Sequence, residues 1–231
     1  MNLAEAWGLR QGGTNPVRHV TKFKERSRQR YLSQEEIERL GAVMRDADDV
    51  GHLVVPGHKN ARRGSNEVPI NPYAIWAIRL LILTGARKSE ILGLQWDWID
   101  EASGCAYLPD SKSGAKPLVL SPAAMEQLAR IPRKVDNAHV IAGGKPGAAL
   151  VNLKDAWNAM RAVAGIEDVH LHDLRHSFAS VAAGQGYSLH IIGGLFGHSQ
   201  PKTTARYAHL SNAPLREASA RISDGIVSLM G

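Results

Sequence analysis

Two stretches decide how this chain reads: VHLHDLRHSFAS, residues 169–180, and LFGHSQPKTTARYAHL, residues 195–210. His172 and Arg175 stand three apart, which puts them on one face of a helix. His198 lies in a Gly-His-Ser turn, and Tyr207 follows nine residues on after a short helical run. Imidazole, guanidinium and phenol in one neighbourhood point to a phosphate site. The guanidinium offers a fork of donors to the oxygens, the imidazole carries protons, and the phenol is a hydroxyl nucleophile.

Working outward, the same chemistry has two upstream partners. Thr84-Gly85-Ala86-Arg87-Lys88-Ser89-Glu90 sets an arginine at the start of a short helix. Ser111-Lys112-Ser113-Gly114 sets a lysine in a turn between two expected strands. With His172-Asp173-Leu174-Arg175, Gly197-His198 and Tyr207, these motifs resemble the tyrosine recombinase (phage integrase) family, six positions in the family's order. The resemblance covers residues 30 to 229. It implies a helical catalytic domain, mainly α with a small three-stranded antiparallel sheet (an α+β fold).

The resemblance also implies roles. Tyr207 attacks the scissile phosphate, leaving a 3′-phosphotyrosine and a free 5′-hydroxyl. Arg87 and Arg175 hold the non-bridging oxygens, Lys112 protonates the leaving 5′ oxygen, and His172 and His198 hydrogen-bond the phosphate and shuttle protons. The residues alone support this chemistry. Fixed cations stabilise a charged phosphoryl transition state well in a dry site, and imidazole titrates near neutrality. Glu90, three residues after Arg87, orients a helix or pairs with an arginine, and His176, four after His172, backs the site. After its lysine the chain reads KSGAKPLVL, shorter than the family pattern and lacking its arginine, so Lys116 stands as a rival to Lys112.

Composition narrows the field. Of 28 Lys/Arg and 22 Asp/Glu, seven bases and one acid fall between Arg10 and Arg30, leaving 21 of each elsewhere. The net charge of +6 is therefore carried by that one segment. A basic strand on a neutral body suits a polyanion, and nucleic acid is the common one. Lys22, Lys24, Arg26, Arg28 and Arg30 are its candidate DNA contacts. A single cysteine, Cys105, excludes a disulfide framework and a cysteine-based zinc site. His172 and His176 have the spacing of zinc helices, but the glutamate of H-E-x-x-H is replaced by Asp173. No metal or cofactor is expected. There is neither an apolar run of membrane-spanning length nor a secretory leader pattern, so the expected setting is the bacterial cytoplasm, at the nucleoid.

Along the chain, residues 1–16 read as the end of a preceding core-binding domain and 17–30 as a basic interdomain linker, both by resemblance. Residues 31–231 read as the catalytic domain. Ser33-Gln34-Glu35-Glu36 is a capping box. Residues 46–70 read as a long loop, with Lys59, Arg62 and Arg63 as possible phosphate contacts. Asn71-Pro72 opens a helix that Gly85 stops. Trp96 to Ile99, Cys105 to Leu108 and Pro117 to Leu120 read as strands, and Ser121-Pro122 starts a helix to about Arg130. Asn152 caps a helix that ends at Gly165. Helices follow at about 173–184, 189–196, 201–209 and 214–229. The last has one apolar stripe, Leu215, Ala218, Ile222, Ile226 and Leu229, that either packs on its own domain or docks on a neighbouring protomer.

The expected function is site-specific DNA breakage and rejoining on double-stranded DNA. The resemblance adds a tetrameric synapse and possible DNA-bending or directionality factors. A type IB topoisomerase-like relaxer and a non-catalytic DNA-binding module are the alternatives.

Overall fold

The computed structural model describes residues 3–15, 20, 21, 23, 30–57, 66–109, 116–197, 201–210 and 223–230. Among these residues the architecture is a helical body with a small three-stranded antiparallel sheet, as expected from sequence, and a second, two-stranded sheet that was not.

A short helix, α1 (Leu3–Ala6), precedes the body and buries none of its residues. The body begins at α2 (Gln34–Val50). Ser33 accepts from the Glu36 N–H while the Glu36 carboxylate accepts from the Ser33 N–H, the reciprocal cap read from the sequence. The expected loop at 46–70 is corrected. The helix continues to Val50, and β1 (His52–Val54) pairs antiparallel with β2 (Glu67–Pro69). Three-residue strands are too short for an alternating pattern to show in sequence.

The centre is α3 (Pro72–Thr84), capped by Asn71 and ended by Gly85 at φ 62°. Its Ile75, Ile78 and Leu80 are fully hidden, because α2, α5 and α7 pack around it. A helix apolar on nearly every side is stable only in such a position. A five-residue helix, α4 (Lys88–Leu92), follows with Arg87 as its N-cap residue.

The strand expected at Trp96–Ile99 is only partly present. Trp96–Trp98 form a 3-10 turn and β3 is confined to Ile99–Asp100. β4 (Cys105–Leu108) and β5 (Lys116–Val119) complete a sheet of order β3-β4-β5. α5 (Pro122–Arg130) is capped by Ser121. α6 (Lys154–Val163) has Leu153 as its N-cap residue, one past the expected Asn152, although the Asn152 side chain still accepts from the Lys154 N–H at 2.7 Å.

α7 (Leu171–Gly184) and α8 (Leu189–Phe196) close the body, followed by α9 (Pro201–Thr204) and a 3-10 stretch, Ala205–Leu210. The helix expected over 201–209 is thus one α-helical turn followed by a tighter 3-10 stretch. Beside the main core, Ala179, Ala183, Ile192, Phe196 and Tyr207 form a second apolar cluster. Residues 223–230 are helical, and their Ile226 and Leu229 are exposed; the start of the expected 214–229 helix lies outside the described residues. No helix among the described residues is long and apolar enough to cross a membrane.

Candidate active site

The first two turns of α7 carry His172 and Arg175. Its cap is unusual: the Asp173 carboxylate accepts from the His170 backbone N–H at 2.8 Å, tying the entry of the helix to its own third residue. His172 is exposed, whereas Arg175 is 5% exposed.

Arg175 is held by backbone carbonyls. Its Nη1 donates to Gly85 O at 2.5 Å and its Nη2 to Phe196 O at 3.1 Å, and the guanidinium lies over the Phe196 ring at 3.8 Å. The C-terminus of α3 and the C-terminus of α8 thus both grip one side chain. Helix C-termini carry partial negative charge and favour a cation there. Burial, with the charge of Arg87 acting the same way, pushes the Arg175 pKa down to about 10, so it stays charged at neutral pH.

Gly85 makes this close fit possible. A Cβ there would sit 2.6 Å from Phe196 Cε1 and 2.9 Å from Phe178 Cδ1. Its positive φ and the two phenylalanine rings both require glycine.

Arg87 and Lys116 reach the same patch from α4 and β5 and share one carboxylate. Glu90 Oε1 is 2.9 Å from Arg87 Nη1 and 2.9 Å from Lys116 Nζ. Glu90 Oε2 accepts from the Arg87 N–H at 2.8 Å. Lys116 Nζ also donates to Phe196 O at 3.3 Å, the carbonyl that Arg175 uses. Burial opposes the charge of Glu90, but the Arg87 N–H and Lys116 outweigh it and hold its carboxyl below the ordinary range. Burial pushes the Lys116 ammonium below the ordinary lysine value, against the pull of Glu90.

Tyr207 enters from the 3-10 stretch. It is 5% exposed, its ring packs edge-on against Phe196, and its hydroxyl is 2.6 Å from His176 Nδ1. The Arg175 guanidinium lies over the same Phe196 ring that the Tyr207 ring packs against, so the two side chains flank one aromatic plate. His172 stands edge-on to His176 with ring centroids 4.9 Å apart.

The structure therefore brings Arg87, Glu90, Lys116, Arg175, His176 and Tyr207 into one connected patch, with His172 at its edge. Lys112 and His198 lie outside the described residues, as do Lys22, Lys24, Arg26, Arg28, Lys59, Arg62 and Arg63. Arg30, the described member of the expected DNA contacts, already has partners within the domain. Its Nε is 2.7 Å from Asp168 Oδ2 and its Nη2 2.6 Å from Glu36 Oε1, so its guanidinium serves the domain's own carboxylates. Glu36 and then Asp168 hold its pKa above the ordinary arginine value. Charge counting could not see this, because Asp168 is 138 residues away. Sequence reasoning placed His176 behind the site from its spacing four residues after His172, but it missed the contact with Tyr207. Among the described residues no three His, Cys, Asp or Glu gather as a metal site.

Comparison with known proteins matches this fold and motif order to one family. The phage integrase family model matches residues 30–213. This chain belongs to the phage integrase family. A shufflon-specific DNA recombinase of Escherichia coli is 31% identical over 214 residues, covering 90% of this chain and 47% of that protein. The integrase-family chain thus spans about half the length of that relative. Among solved structures, the XerA recombinase superposes with a TM-score of 0.59 at 20% identity, over 85% of this chain and 66% of that one. The catalytic domain of bacteriophage HP1 integrase superposes at 0.53 and 22% identity, over 84% of this chain and 95% of that domain. At such identities these two likenesses speak to the fold.

Proposed function

We propose that this chain is the catalytic part of a site-specific DNA recombinase that cleaves and rejoins strands through Tyr207. One observation carries the reading: Arg87, Lys116 and Arg175 converge on shared anchors, Glu90 and Phe196 O, beside a buried phenol that packs on the same Phe196 ring as Arg175. Three cations held by the fold have little reason to crowd together unless they face an anion. A phosphodiester, whose charge grows on two non-bridging oxygens during displacement, fits that need.

In this reading Arg87 and Arg175 hold the non-bridging oxygens and Tyr207 attacks phosphorus. Lys112 gives the leaving 5′ oxygen its proton, and His172 and His198 bond the phosphate. The 3′-phosphotyrosine retains the energy of the broken bond, so a 5′-hydroxyl from another strand can reverse the step without nucleotide or metal. The basic segment through Lys22, Lys24, Arg26 and Arg28 lies along duplex DNA. Four copies assemble on it, with the exposed apolar residues of 223–230 available for contact between protomers. The setting is the bacterial cytoplasm, at nucleoid DNA, with DNA-bending or directionality factors as accessory partners.

Covalent trapping tests this. The protein is mixed with nicked fragments of host and element DNA, without added metal, and then denatured. A protein–DNA adduct from wild type and none from Tyr207→Phe is the expected result, and sequencing the trapped DNA gives the site. Clear duplex binding with no adduct from either protein would favour the non-catalytic module. Relaxation of supercoiled plasmid without a preferred site would favour the topoisomerase-like reading.

A further inference from the structure

A phenol has an ordinary pKa of about 10, so a nucleophilic tyrosine must hand its proton to something at neutral pH. The side chains of the patch differ sharply in their ability to accept one. Arg175 and Arg87 are guanidinium cations with no acceptor capacity. Lys116 is an ammonium paired with Glu90. The Glu90 carboxylate already accepts from Arg87 and Lys116, and Asp173 accepts from the His170 N–H. His176 has a ring nitrogen in contact with the phenol: Nδ1 is 2.6 Å from the hydroxyl, with both residues buried. That is within the distance a general base requires.

We propose that His176 is the general base for Tyr207. The assignment rests on Tyr207 being the nucleophile. In cleavage the Tyr207 oxygen–phosphorus bond forms and the bond from phosphorus to the 5′ oxygen breaks. The phenolic proton passes to His176 Nδ1, and the leaving 5′ oxygen takes a proton from the lysine. In rejoining, the incoming 5′-hydroxyl gives its proton back to the lysine, and the His176 imidazolium protonates the departing tyrosine oxygen. Protons therefore balance over a complete exchange. Nδ1 can accept only in the tautomer that carries its hydrogen on Nε2.

Position supports the assignment. α7 places His176 directly after Arg175 and one turn after His172, whose ring stands edge-on to it at 85°. One rigid helix thus presents the phosphate-gripping guanidinium and the proton acceptor together, at a spacing set by backbone geometry rather than by a loop.

The test uses the full chain and a nicked duplex carrying the trapped site, with protein in excess. Adduct formation is followed in a single turnover for wild type, His176→Gln and His176→Ala, and affinity for the same duplex and thermal melting are measured in parallel. Glutamine keeps a hydrogen-bonding partner for the phenol but cannot take its proton. The expected result is an adduct rate reduced about 100-fold in His176→Gln with near-wild-type binding and melting. In His176→Ala, added imidazoles restore the rate in the order of their basicity. A wild-type rate in His176→Gln overturns the assignment alone. So does a His176→Ala rate that imidazoles leave unchanged, or raise equally whatever their basicity. Absence of an adduct from wild type overturns the recombinase reading, and the assignment with it.

Discussion

Lys116 Nζ lies 2.9 Å from Glu90 Oε1, and both side chains are almost wholly hidden, 9% and 4% exposed. A carboxylate buried between two cations is a keystone: losing it leaves Lys116 and Arg87 facing each other without compensation. Glu90→Gln should cost about 3 kcal/mol, the lower part of the range for breaking a buried pair, because Arg87 is still a quarter exposed. The pH sign follows from the depressed carboxyl. Its contribution is present above the unfolded value of 4.5 and is lost as pH falls through the lower folded value. Thermal melting from pH 3 to 7 should therefore show a smaller acid-side loss in Glu90→Gln than in wild type. A parallel acid limb in both proteins would contradict this.

Gly85 should not tolerate a side chain. Gly85→Ala combines a left-handed backbone with a Cβ 2.6 Å from Phe196 and 2.9 Å from Phe178. Rings packed in a core cannot swing aside as a surface side chain can, so the cost should be about 2–4 kcal/mol, read from the urea midpoint. Since Gly85 O accepts from Arg175, adduct formation should fall as well. An unchanged midpoint would count against the close packing described.

Arg30 is expected to act on stability and not on DNA affinity. Arg30→Ala breaks its pairs with Glu36 and Asp168 and should cost about 1 kcal/mol, a modest value because Asp168 is mostly exposed. The slope of log affinity against log salt should stay at the wild-type value. Lys24→Ala, by contrast, should lower that slope by about 0.9 if it neutralises one phosphate. Equal slope changes in the two variants would return Arg30 to the DNA contacts.

The two lysines of the hairpin should separate by what they disturb. Lys116→Ala removes a partner of Glu90 and of Phe196 O, so it should lower the melting temperature. Lys112→Ala should leave melting unchanged and slow cleavage. A duplex with a sulfur leaving group at the 5′ position needs no general acid and should restore cleavage in Lys112→Ala. Restoration in Lys116→Ala instead would assign the proton to Lys116, whose burial already makes it a stronger acid than a free lysine.

Local signals were legible where one short stretch held all the needed chemistry. Ser33 with Glu36, Asn71 with Pro72, and Ser121 before α5 each satisfy orphan helix N–H groups within a few residues, and the structure places those helix starts there. The β1–β2 pair was not legible, because three-residue strands show no period and their partners lie across 58–65. Trp96 to Ile99 alternates like a strand, yet the Trp96 N–H donates to Ala138 O and the backbone tightens into a 3-10 turn. There a long-range partner overrode the local pattern.

The sequence by itself determined the family, the helical class and the order of Arg87, Arg175 and Tyr207, because spacing along a helix and motif order are properties of the chain alone. Tertiary structure decided what each side chain meets. Arg30 turns from a linker cation into an anchor on Asp168, 138 residues away. Lys116 joins Arg175 through Phe196 O, 80 residues away, and His176 reaches Tyr207 across 31. Contacts over such separations exist only once α3 brings α5, α7 and the core together, and no local propensity encodes them.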